Sequence, residues 1–143
     1  MTSTGDERAA DLADVLISVA RKIAARADED PGFVTLTPLE SLVMRHIDKH
    51  PGITPSRIAA AVGLRTSNAS AALRTLEAKG FITRESDPRD RRAVRIHPTP
   101  AAADNLRRVR RVWDTLLSPH LADPAATAEA VAFLTRLDDS LTS

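Results

Sequence analysis

The stretch Asp87-Pro-Arg-Asp-Arg-Arg92 interleaves three guanidinium groups with two carboxylates. Arginine presents a planar fork of donors that suits phosphate oxygens and the focused negative potential of a narrow minor groove. Carboxylates at such a place would be repelled by a polyanion unless they hold neighbouring arginines extended by bidentate pairing, a role open to Asp87 and Asp90. Arg89, Arg91 and Arg92 are therefore candidate contacts to a nucleic-acid backbone. A second set lies just upstream. Between residues 66 and 79, Ala69, Ala72, Leu73 and Leu76 recur at helical spacing and leave Ser67, Ser70, Ala71 and Arg74 on the opposite face. A face of small, polar and basic residues lets a helix settle deep among base edges. Without a ligand, the same residues would make a solvated surface whose ion pairs satisfy one another.

Other chemistry finds little support. His46 and His50 stand four apart, the spacing that places two metal ligands on one helix face. His50, however, precedes Pro51 at a helix end, where the dipole favours a cation, and no cysteine or well-placed third ligand accompanies the pair. Surface or capping roles fit the four histidines better, and no metal is expected. Acid pairs such as Asp138-Asp139 and Glu29-Asp30 are matched by neither a nucleophile nor a glycine-rich phosphate loop, so the chain carries no enzyme signal and implies no cofactor. The absence of cysteine excludes disulfides, thiolate metal sites and thiol-based redox sensing.

The net charge of +1 conceals a strong asymmetry. Residues 65–111 hold twelve Lys/Arg against five acids, a balance of +7, while the rest of the chain sums to −6. A basic block in an otherwise acidic chain suits a polyanion-binding face, because cations placed along phosphates release condensed counterions. The apolar residues are mostly aliphatic, with three Phe, one Trp and no Tyr, a composition that favours packed helices. The start of the chain has neither a basic nor an apolar run, and nowhere do eighteen apolar residues occur together, so a soluble cytoplasmic protein with no membrane contact is expected.

The elements that must position these residues follow from periodicity. Residues 6–27 place Leu12, Val15, Leu16, Val19 and Ile23 on one face of a long helix. Thr37-Pro38-Leu39-Glu40 supplies a capping hydroxyl, a proline at the first helical position and a glutamate three residues after the cap, opening a helix with the stripe Leu39, Leu42, Val43 and Ile47. Thr54-Pro55 repeats the start signal for a short helix closed by Gly63. The helix 66–79 follows, with Thr66 expected as its cap. Residues 81–85 and 93–97 read as strands around a long basic tip at 86–92, and helices return from Ala101 to about Leu117 and from about Ala125 to Leu141. Two short helices joined by a glycine-containing turn and followed by a hairpin make a winged helix-turn-helix.

At Leu36-Thr-Pro-Leu-Glu40, at Leu73-Arg-Thr-Leu-Glu-Ala-Lys-Gly-Phe-Ile82 and above all at Asp87-Pro-Arg-Asp-Arg-Arg-Ala-Val94, the chain resembles the MarR (multiple antibiotic resistance regulator) family of bacterial transcription factors. The resemblance implies that Arg92 enters the minor groove and that Asp90 orients it. It also implies that Ser67, Asn68, Ser70, Ala71 and Arg74, with Thr66 at the start of the helix, approach bases and phosphates. Pro98 and Ala102 depart from the Leu-Thr-x-x-Gly usual between the wing and the next helix, which leaves the strand end and the following helix angle open.

The expected fold is mainly α with a small β-hairpin wing (α+β). It forms one domain over residues 1–143, with a DNA-binding lobe at 37–98 and a helical dimerisation lobe at 6–30 and 100–143. The terminal helices are too apolar on one face for a lone DNA-reading module, and a two-fold homodimer would set two recognition helices one DNA turn apart. The expected function is transcriptional regulation, as a repressor in the first instance, through palindromic double-stranded DNA. The helix 66–79 would lie in the major groove and the wing 84–95 in the minor groove. The resemblance further implies release by a small aromatic effector between the lobes, where Trp113, Phe33 and Met44 are lining candidates that serve equally well as core. The competing reading is a winged-helix module that docks on protein or RNA without reading DNA sequence.

Overall fold

The computed structural model describes residues 4–141; residues 1–3 and 142–143, the ends of the expected single domain, lie outside the described residues. In chain order the elements are α1 (Thr4–Asp28), α2 (Pro38–Lys49), α3 (Pro55–Ala61), α4 (Thr66–Ala78), β1 (Ile82–Asp87), β2 (Asp90–Pro98), α5 (Pro100–Leu117), a 3-10 turn (Ser118–His120) and α6 (Pro124–Leu141).

Three helices open on Thr-Pro, where the proline's missing N–H costs nothing in the first turn; the threonine hydroxyl caps α2 and α5, whereas Thr54 makes no side-chain cap bond at α3. At α2 the capping box is complete. The Glu40 amide donates to the Thr37 hydroxyl at 3.2 Å, and the Thr37 amide donates to the Glu40 carboxylate at 3.0 Å. At α5, Thr99 accepts from the Ala102 amide and donates its own hydroxyl to the Gly80 carbonyl at 2.6 Å, so the turn after α4 is tied to the start of α5. The open question at Pro98 is thereby answered, with β2 running through Pro98 and Thr99 starting the next helix. At α4 the expectation fails. Arg65, not Thr66, occupies the cap position, since its carbonyl already receives the Asn68 and Ala69 amides and Thr66 is fully helical. The turn before it rests on Gly63, whose φ of 64° is the left-handed geometry that favours glycine.

The core sits where α2, α3, α4 and the root of the hairpin meet. Val43, Ile47, Ile58, Leu73, Leu76 and Ile96 are fully buried, each stabilising the fold by roughly 1.5–3 kcal/mol. Within α2 the burial falls on Val43, Met44 and Ile47, while Leu42, expected in the stripe, is 38% exposed. The neighbours of α2 explain this: α4 and β2 cover the Val43–Ile47 side and leave Leu42 outside.

The hairpin also differs from expectation. Its strands reach Asp87 and resume at Asp90, leaving only Pro88-Arg89 as the turn, and the wing is longer than residues 84–95. The Asp87 carboxylate closes that turn by accepting the Arg89 amide at 2.9 Å. From Ile82↔Pro98 to Ser86↔Val94 the register is regular, and then it jumps to Asp87↔Asp90. Arg91, Arg92 and Ala93 therefore have no partners across the ladder and form a bulge, which re-aims side chains.

Outside this core, α1 packs on α5, which buries Ala102, Asn105 and Val109, whereas α6 buries none of its residues. The connection 29–37 is held at several points. Asn105 accepts the Val34 amide at 2.8 Å and donates to the Val34 carbonyl at 3.0 Å, Thr35 donates to Asp28, and Lys79 donates to the Thr35 carbonyl at 3.1 Å. Among the described residues no helix is long and apolar enough to cross a membrane.

Candidate nucleic-acid interface

The outer face of α4 is set by what its inner face buries. Ala69, Ala72, Leu73 and Leu76 are all in the core, so Ser67, Asn68, Ala71 and Arg74 project outward with Thr66, and Ser70 lies half-buried at the edge. The hairpin starts after only Lys79, Gly80 and Phe81, and Arg84 of β1 pairs with Glu77 of α4 at 3.0 Å, pinning the wing to the helix. Lys79 turns the other way. Its ammonium meets the buried Glu40 carboxylate at 2.6 Å, which joins the end of α4 to the start of α2. Burial would raise the Glu40 pKa, but hydrogen bonds from Lys79 and Thr37 together outweigh it and hold the carboxyl below its usual value.

The wing carries its own sorting of charge. Arg95 places Nε and Nη2 on the same Asp87 oxygen, at 2.9 and 2.7 Å, and Nη1 on the Gly52 carbonyl at 3.1 Å. The Arg89 amide first, and the Arg95 guanidinium second, hold the Asp87 carboxyl below the usual range. Asp90, which the resemblance assigns to orienting Arg92, accepts the Arg92 backbone amide at 3.0 Å and so shapes the bulge rather than gripping the guanidinium. The carboxylate that grips an arginine is Asp87, and the arginine is Arg95, absent from the set expected to contact DNA.

This pairing leaves a pattern among the described residues. Arg84, Arg95, Lys79 and Arg108 have acidic partners, whereas Arg65, Arg74, Arg89, Arg91 and Arg92 have none. These five guanidiniums stand at the start and outer face of α4 and at the end of the wing, and Arg57 of α3 is another arginine without an acidic partner among the described residues. Arg65 was not singled out from sequence, because its significance is the lack of a partner, and that depends on contacts distant in sequence. No group of three or more metal-ligating side chains occurs among the described residues, and His46 and His50 stand with ring centroids 4.8 Å apart.

A model of the MarR family matches residues 34–93. A protein of Thauera aromatica, described as a candidate transcriptional regulatory protein for the hcr operon, is 31% identical over 98 residues, which are 66% of this chain and 58% of that relative. The chain thus spans a little over half the length of that curated relative. The solved transcriptional regulator BldR of Sulfolobus solfataricus superposes with a TM-score of 0.66 at 21% identity, covering 97% of this chain and 99% of BldR. A mutant of MepR from S. aureus, solved bound to an oligodeoxyribonucleotide, superposes with a TM-score of 0.62 at 21% identity, covering 91% of this chain and 97% of MepR; MepR has also been solved bound to ethidium bromide. These structural likenesses establish the winged-helix fold. The sequence from α2 through the helix pair to the wing bulge is similar to the MarR family over residues 34–93.

Proposed function

We propose that this chain is a DNA-binding transcriptional regulator that works as a homodimer on palindromic sites, with α4 in the major groove and the wing in the minor groove. The observation that carries the reading is the set of unpaired guanidiniums on the outer face of α4 and at the wing bulge. Surface arginines that lack acidic partners and cluster on one motif are suited to phosphates and groove edges. In this assignment Arg92 enters the minor groove from the bulge, and Asp90 holds the backbone that aims it. Arg74 contacts a base or phosphate. Thr66, Ser67, Asn68, Ser70 and Ala71 approach the base edges, and Arg89 and Arg91 meet phosphates flanking the bulge. The MepR structure with an oligodeoxyribonucleotide supports this use of the fold.

Residues 37–98 are the DNA-binding lobe and 6–30 with 100–143 the dimerisation lobe. The exposed apolar side chains of α1 and α6, among them Val15, Ile17, Val131 and Phe133, support the dimer. Repression is the expected mode, in the cytoplasm, with release by a small aromatic molecule as a secondary feature, supported by the ethidium-bound MepR structure. Of the lining residues suggested by sequence, Met44 is committed to the core.

Selection of binding sites from random duplexes tests the reading. A recovered palindrome, bound with steep salt dependence, is the expected result. Absence of duplex binding at low salt would instead favour a winged-helix module that docks on protein or RNA.

A further inference from the structure

A second concentration of cationic side chains lies away from the outer face of α4. An open groove of about 690 Å³ separates the C-terminal end of α2 from α3 and β2. His46 and His50 of α2, Arg57 of α3 and Arg95 of β2 all line it, together with the small side chains of Ala60 and Ala61. No carboxylate lines it. We propose that this groove is a binding site for a phosphate-type oxyanion.

The donor geometry favours such a guest. Arg57 has no acidic partner among the described residues, so its guanidinium is available. Arg95 spends three of its N–H donors on Asp87 and Gly52, which fixes the plane of the guanidinium and leaves two donors unspent. A guanidinium held in place loses less freedom on binding than a free one. The two imidazoles, tilted by 46° to one another, add donors once protonated, and the alanines leave room for a tetrahedral group to approach.

The electrostatics agree. Burial first, then His50 and then Lys49, lower the His46 pKa. Burial raises the pKa of Asp48, the acid of this helix end, with Arg110 of α5 opposing the shift, and Asp48 does not line the groove. From α3 the groove receives Arg57, and from β2 it receives Arg95, whose charge is matched by Asp87. An oxyanion seated among these groups opposes the repulsion on His46 and draws a proton onto it. For a guest of fixed charge, such as a phosphodiester, binding therefore tightens as pH falls through the lowered His46 range. The guest is either a phosphate of the DNA backbone or a free phosphate-bearing molecule, and the same chemistry receives both.

NMR titration of the His46 ring proton in the full chain, at matched ionic strength, separates the cases. Inorganic phosphate is expected to raise the His46 titration midpoint relative to chloride, and Arg57→Ala to weaken phosphate binding by about fivefold or more with thermal stability unchanged. If duplex DNA also raises the midpoint, or raises it when inorganic phosphate does not, the site takes a backbone phosphate; if only inorganic phosphate does, it takes a free one. The proposal is overturned if neither shifts His46, or if the shift persists undiminished in both Arg57→Ala and His50→Gln. Arg92→Ala serves as the control for DNA reading. Its loss of duplex affinity with an intact phosphate response, or the reverse, distinguishes failure of the groove from failure of the proposed function.

Discussion

Arg92 and Arg95 are three residues apart and do opposite things. Arg95 is spent on holding Asp87 and the Gly52 carbonyl, whereas Arg92 stands in a bulge with its guanidinium unpaired. Arg92→Ala should lower affinity for a selected duplex by about 1–3 kcal/mol with no change in melting temperature, since it supports no core. Fluorescence anisotropy and thermal unfolding on the same sample check this; equal losses in both would remove Arg92 from the interface. Asp87→Asn should act through shape. It loosens the turn and Arg95 together, and a fall in duplex affinity of about tenfold is expected, equivalent to roughly 1.4 kcal/mol. Because the folded Asp87 pKa is lowered, its contribution is complete above the ordinary carboxylate range and disappears as pH falls through the lowered value. The protection factor of the Arg89 amide against hydrogen exchange, relative to its intrinsic rate at each pH, should therefore fall in acid in the parent and be low at all pH in Asp87→Asn.

At the scale of elements, what was legible in the sequence is what repeats at short range. The four core residues of α4 and the Thr-Pro starts of α2 and α3 follow from periodicity and capping chemistry, which are local. The extent of the wing and the partner of Asp87 were not legible, because both depend on a register jump that only the assembled ladder reveals. From sequence, Asp90 is as near to Arg92 as Asp87 is to Arg89, and nothing local ranks Arg95 above either. Leu42 misled for a related reason: several helical faces were apolar enough to be buried, and the position of α4 and β2 decided between them. The Lys79–Glu40 pair, which joins two of these elements, offers a direct test. Lys79→Ala leaves Glu40 buried without its cation and should cost about 1–3 kcal/mol of stability, partly recovered by adding Glu40→Gln. Denaturant unfolding of the two variants measures it. The folded Glu40 pKa is also lowered, so the stabilisation is present above the ordinary carboxylate value and wanes as pH falls through the lowered one.

For the whole molecule, the contrast is between a lobe with a complete core and terminal helices whose apolar faces look outward. Val131 is 60% exposed and Val15 58%. Val131→Asp should therefore leave the winged lobe folded, as judged by its amide spectrum, while converting a dimer to a monomer in sedimentation velocity and weakening duplex binding by about tenfold or more. A variant that remained dimeric would shift the interface away from α6. The exposed α6 also bears on how such a regulator responds to its own abundance. In the proposed dimer, a helix that buries none of its residues within its own chain would draw its support from a second copy, and the species able to span a palindrome would grow with the square of chain concentration until pairing saturates. Halving the supply of chain would then cut occupancy by more than half. The threshold of the response would then be set by the apolar face of α6, outside the proposed DNA-binding lobe.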